Sequence, residues 1–292
     1  MSKQEKNIKF LTDSAADLTP ALRKEYDIEV LPFTIISSDS KEYKDGVDFT
    51  PQKFYDFLDK QEITPTHAQL TAFDFCEVYE RLWTTGYRSV IYTSINSKGS
   101  ATWQNSIMAR DEFYEDHPEA KDEFSIYIID SLSYTMGYGW GIVQAAKMAR
   151  DGASAEICAA AIEDWCKHVR LLFTPMDLKY AKKSGRVSAA AAFLGDALGL
   201  HPIMSFPEGE SKVLTKVRGD KNVIPTMIKM AQKEIAEGSP LLLITGGNKD
   251  INKELRKQST EAFGKADLEY QIGGVITINV GHNLIGMIYR VK

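Results

Sequence analysis

Small hydroxyl, amide and carboxylate side chains gather in four short blocks of this chain. They are Thr12-Asp13-Ser14, His67-Ala68-Gln69-Leu70-Thr71, Asn96-Ser97-Lys98-Gly99-Ser100-Ala101-Thr102 and Asp130-Ser131. Each block falls at the C-terminal end of an expected strand or just ahead of an expected helix. In an open α/β sheet that edge receives ligands, and free N–H donors at helix starts favour an anionic group. The bland alternative for any one block is a helix cap. Five histidines (His67, His117, His168, His201, His282) show no H-E-x-x-H spacing, and Cys76, Cys158 and Cys166 form no C-x-x-C pair. The expectation is therefore no metal and no cofactor, with buried free thiols.

The elements that position these blocks can be read in order. Ile8–Leu11 is a short apolar strand, and Thr19-Pro20 and Thr50-Pro51 each pair an N-cap with proline at the first helical position. The second of these helices carries Phe54, Tyr55, Phe57 and Leu58, and Ile28–Ile36 before it is extended. Thr71 with Asp74 opens a further helix bearing Cys76, Tyr79 and Trp83, and Gly86 is a stop. Val90–Thr93 and Ile126–Ile129 are strands, the first followed by a helix with Trp103 and Ile107. Two helices divided by Asp151-Gly152 close this half. Alternating strands and helices imply parallel pairing through right-handed crossovers.

After about Lys167 the pattern changes. Leu171–Phe173 and Leu241–Thr245 are buried strands, and Ile203–Phe206 with Lys212–Val217 forms a hairpin around Pro207–Gly209. Small-residue helices run through Ala189–Leu198, and Asn222–Ala236 and Asp250–Phe263 are helices. Gly273–Ile278 and Ile285–Val291 read as two strands around a Gly-His-Asn turn. The expected fold is α/β in two domains: a mostly parallel sheet in residues 1–168, and an α+β domain with a mixed sheet in 169–292. The ligand site is expected at their junction.

Length and composition agree. At 292 residues, 43% hydrophobic and 26% charged, the chain has the make-up of an ordinary globular protein of one large or two domains. No apolar run is long enough to span a membrane, and MSKQEKNIKFLTDS lacks a signal-peptide core, so a cytoplasmic location is expected. A net charge of −5 argues against a nucleic-acid backbone binder. There is no Walker loop and no G-x-S-x-G elbow. Gly137-Tyr138-Gly139-Trp140-Gly141 is not a dinucleotide fingerprint, and close helix packing is its simpler meaning.

In order and spacing, the blocks resemble the DegV family across nearly the whole chain. Thr12-Asp13-Ser14 resembles its opening, and Leu31-Pro32 with Tyr43–Asp48 its second block. Ile95–Gln104 is similar to its serine-rich turn, and Asp130-Ser131 with Gly137 and Gly139 to its fourth block. Tyr180–Ser188 is similar to its lysine-glycine-arginine segment, and His201-Pro202-Ile203 and Arg218-Gly219 to the family's positions beyond that segment. The resemblance implies a two-domain protein that holds one long-chain fatty acid, tail in an apolar tunnel, carboxylate on polar side chains. It also implies a separate fatty acid kinase as a candidate partner, with no turnover by the binding protein itself, and a monomer is the default state.

Carried over residue by residue, the resemblance assigns the carboxylate to Ser100, His67, Asn279 and Arg186. Thr12, Ser14, Gln69, Asn96, Ser97, Thr102 and His282 are secondary candidates. Two departures stand out. His67-Ala68-Gln69 replaces the family's threonine-serine-glutamine, and Asn279 replaces a histidine two residues before Gly-Pro-Gly, which is itself Gly281-His282-Asn283 here. His67 can donate to a carboxylate, or pair with it in a pH-sensitive way when protonated, and losing the histidine at 279 bears more on kinase coupling than on binding. Val187–Leu200, with Met204 and Phe206, is the candidate tunnel wall. Two other classes fit the residues: a hydrolase or phosphotransferase using His67, His282 or Asp13 in the interdomain cleft, and a sensor of another amphipathic anion.

Overall fold

A computed structural model describes residues 6–191 and 199–292. The chain divides into two compact units, and neither is a single stretch. The first comprises residues up to Phe33 together with Ala68–Lys167; the second comprises Thr34–His67 together with His168–Lys292. One cut near residue 168 therefore describes the chain incompletely. Residues 34–67 leave the first unit because their hydrogen bonds are made far along the sequence. Tyr55 Oη donates to Ile272 O at 3.0 Å, and Gly274 N donates to the buried Asp45 carboxylate at 2.9 Å.

In the first unit four parallel strands lie in the order Ile28–Leu31, Lys6–Asp13, Tyr87–Ser94, Ser125–Asp130. Helices Ala72–Thr84 and Thr102–Asp116 bury Phe75, Tyr79, Leu82 and Phe113 with Leu11, Val90 and Tyr92 of the sheet. The local signals act as chemistry requires. Thr19 and Thr50 cap helices that start on Pro20 and Pro51, and Thr71 and Asp74 form a reciprocal capping box. The glycines of helix Met136–Arg150 are close-packing positions: a Cβ on Gly139 would lie 2.7 Å from Ala16 O, and one on Gly141 2.6 Å from the Trp165 ring.

The second unit carries a six-stranded mixed sheet in the order Lys212–Arg218, Leu200–Ser205, Val169–Pro175, Leu284–Arg290, Leu241–Thr245, Leu268–Gln271. All neighbours are antiparallel except the last pair, and helices Val223–Glu234 and Lys249–Phe263 pack on it. A small three-stranded sheet, ordered Glu42–Lys44, Thr34–Ile36, Thr66–Ala68, is built by the earlier segment.

One element differs in kind from expectation. Gly274–Val280 is a helix, although the sequence GVITINV has the β-branched character of a strand. Tertiary fit decides it. The helix is buried along almost its whole length, and at its start Gly274 sits so tightly that a Cβ would lie 2.6 Å from Ile35 and 2.8 Å from Asp45. A short, mostly apolar run signals burial without fixing the backbone state. Of the expected tunnel wall, Met204 is buried and Phe206 stacks on Phe173 at 5.1 Å, whereas residues 192–198 lie outside the described residues.

Candidate functional site

The C-terminal edge of the parallel sheet is organised by Asp13. Its fully buried carboxylate accepts from Tyr138 Oη at 2.6 Å, Tyr92 Oη at 3.1 Å, Ile95 N at 2.9 Å and Ala15 N at 3.2 Å. Burial pushes its pKa up to about 6 against the pull of these donors. The neighbouring hydroxyls are tied into the frame: Thr12 donates to Thr93 O at 2.8 Å, and Ser14 accepts from Phe33 N at 3.1 Å. Asn96 donates to Tyr134 Oη and accepts from Lys98 N, and Ser97 N donates to Asp130. These four candidates shape the turn. The two tyrosines under Asp13 carried no sequence signal, because nothing local ties positions 92 and 138 to position 13.

The turn delivers Ser100 to the start of helix Thr102–Asp116. Ser100 Oγ lies 2.8 Å from Thr102 Oγ1, and the exposed Gln69 accepts from Ala101 N at 3.0 Å and from Ser100 Oγ at 3.5 Å. Ser100, Thr102 and Gln69 are thus brought together, with Ser100 half-buried. Hydroxyl groups gathered at a helix start are hydrogen-bond donors of the kind a carboxylate accepts.

In the second unit His67 lies on strand Thr66–Ala68 and Asn279 near the end of helix Gly274–Val280. Their side chains meet, with Asn279 Nδ2 3.2 Å from His67 Nε2 and 2.7 Å from Val275 O. Burial, and then the positive charge of Arg186, lower the His67 pKa to about 4. His67 is therefore neutral at ordinary pH, which favours the hydrogen-bond donor over the protonated partner of the two expected modes. Arg186 follows helix Lys179–Ser184, is exposed, and donates to Ser184 O at 2.9 Å.

His282 stands apart from that pair. It bonds Asp59 at 2.8 Å, stacks on Tyr55 with ring centres 5.3 Å apart, and has Gly247 against its Nδ1. That geometry is a clamp on the turn before strand Leu284–Arg290. His117 pairs with Glu80, His201 with Asp220, and His168 faces Arg290. Among the described residues no group of three or more His, Cys, Asp or Glu side chains is arranged to hold a metal ion. The cysteines are free, and among the described residues no helix is long and apolar enough to cross a membrane.

Residues 7–292 match the family described as "Uncharacterised protein, DegV family". The chain belongs to the DegV family. A DegV domain-containing protein of Caldanaerobacter subterraneus subsp. tengcongensis is 32% identical over 288 residues, 98% of this chain and 99% of that one. Another, from Clostridium perfringens, is 28% identical over 97% of this chain and 98% of its own. Among solved structures, a DegV family protein from Thermus thermophilus, described by its fatty acid binding, has a TM-score of 0.86 at 25% identity. It covers 98% of this chain and 100% of its own. A stearic acid-binding protein from Eubacterium ventriosum has the same fold, with a TM-score of 0.86 at 23% identity over 98% of each chain. The side chains at the two departures from the DegV pattern, 67 and 279, touch each other.

Proposed function

We propose that this DegV protein binds one long-chain fatty acid, its carboxylate taken by polar side chains and its acyl tail in an apolar tunnel. The likeness to the Thermus thermophilus protein over the whole chain carries the reading, because fatty acid binding is what describes that protein. The chemistry of the residues supports it. Each buried methylene contributes ~0.8 kcal/mol, so a C16 tail has ample driving force after ordering costs. A buried carboxylate without partners costs several kcal/mol and therefore demands two or three donors. Ser100, His67 and Arg186 are the proposed donors, with Thr102 and Gln69 setting the Ser100 hydroxyl; Asn279, expected as a fourth, turns its amide NH2 to Val275 O and His67 instead. The protein acts as a carrier without turnover, and a separate kinase would make any acyl phosphate.

Native mass spectrometry of protein purified from a heterologous host tests this. Retention of a single C14–C18 acid is expected; an empty protein that fails to take up palmitate and instead hydrolyses a generic ester or phosphate overturns the proposal. Ser100→Ala should weaken palmitate binding roughly 10- to 100-fold, as expected for a hydrogen bond to a charged group. Unchanged affinity would move the head group elsewhere.

A further inference from the structure

We infer that Asn279 is a positioning residue that fixes His67 in the tautomer carrying its proton on Nδ1, so that His67 meets an anionic head group as a neutral N–H donor. This deepens the fatty-acid reading and rests on it for the identity of the anion, whereas the contacts argued for the tautomer, with Asn279 and Val275, lie within the second unit.

The Asn279 amide is oriented by its own helix. Its Nδ2 lies 2.7 Å from Val275 O, a carbonyl one turn back. Turning the amide over would place Oδ1 against that carbonyl, two acceptors in contact, so the NH2 end is held there. An NH2 group has a second hydrogen, and the next polar atom is His67 Nε2 at 3.2 Å. That contact is favourable only if Nε2 offers a lone pair. A proton on Nε2 would set N–H against N–H. A neutral imidazole has one proton, and it must then be on Nδ1.

Two features keep the ring neutral. His67 is largely buried, and the nearby guanidinium of Arg186 opposes a second positive charge. Labour is thereby divided: Arg186 supplies the fixed charge and His67 a directional donor whose state is constant over ordinary pH. The same geometry makes the residue at 279 matter to the one at 67. An imidazole at 67 without a hydrogen-bond donor opposite Nε2 would be free to adopt the other tautomer, which presents a lone pair at Nδ1 and repels a carboxylate.

Nitrogen-15 histidine NMR on the ligand-free full chain tests this, with the His67 signals assigned by their loss in His67→Gln. At pH 7 the expected pattern is a protonated Nδ1 and a bare Nε2; an Nε2–H tautomer or an imidazolium overturns the inference. Palmitate titration then separates the two readings. A protein that shows the Nδ1–H tautomer but takes up no palmitate overturns the fatty-acid reading and leaves the tautomer standing. One that binds palmitate with the proton on Nε2 overturns the inference alone. Asn279→Ala should release the tautomer and weaken palmitate roughly five- to tenfold. Combining His67→Thr with Asn279→His exchanges the contact as a unit, so the pair should bind better than the two single losses predict. Strictly additive losses would overturn the coupling.

Discussion

Asp13 and His67 are buried titratable groups displaced in opposite directions, and stability should record both. The Asp13 pKa rises from 3.8 to about 6, so the folded state prefers the protonated carboxyl. Its contribution is greatest below pH 4 and is lost as pH rises from about 4 to 6. His67 falls from 6.5 to about 4, so its contribution is full above pH 6.5 and is lost as pH drops toward 4. Thermal melts of the wild type between pH 4 and 7 should therefore show partial cancellation. His67→Gln should remove the acid-side loss and leave stability falling with rising pH, whereas Asp13→Asn should unmask the opposite slope. Parallel pH profiles for both variants and the wild type would contradict these assignments.

At the scale of elements, the helix starts were legible because each cap is local: Thr19 with Pro20, Thr50 with Pro51, Thr71 with Asp74. Helix Gly274–Val280 was not, since its backbone state depends on Asp45 and Ile35, more than 200 residues earlier. The site divides the same way. The approach of Ser100 to Gln69 is implied by two blocks at one sheet edge, and the resemblance named both residues. The contact of His67 with Asn279 spans 212 positions and has no local signal. The Gly137-x-Gly139-x-Gly141 pattern was legible as packing, and it supplies an element-scale prediction. Gly139→Ala sets a methyl against the Ala16 carbonyl, a backbone atom with no rotamer to change, and should cost about 1–3 kcal/mol in denaturant unfolding. A neutral result would mean the helix can shift without penalty.

For the whole molecule, the proposed binding makes stability depend on ligand, because a protein that takes up palmitate only when folded is stabilised by it. Palmitate at a hundred times its Kd should add about 2.7 kcal/mol, and the melting temperature should keep rising with concentration. Delipidated protein should accordingly melt lower than protein as isolated. A melting temperature indifferent to palmitate would argue that the acid does not discriminate folded from unfolded chain.

The split make-up of the second unit also dictates a timetable for synthesis. Residues 34–67 leave the ribosome before Ala68–Lys167, a stretch of 100 residues that belongs to the other unit. At ~5–20 residues per second, Ile35, Phe54 and Tyr55 wait roughly 5–20 s before the first of their own unit's remaining residues even begins to emerge. Once Lys167 has emerged, the first unit has all its residues and is free to close around a dangling loop rich in aromatic side chains. Nascent chains halted soon after Lys167 would then be the form of this protein most exposed to aggregation and most in need of a chaperone.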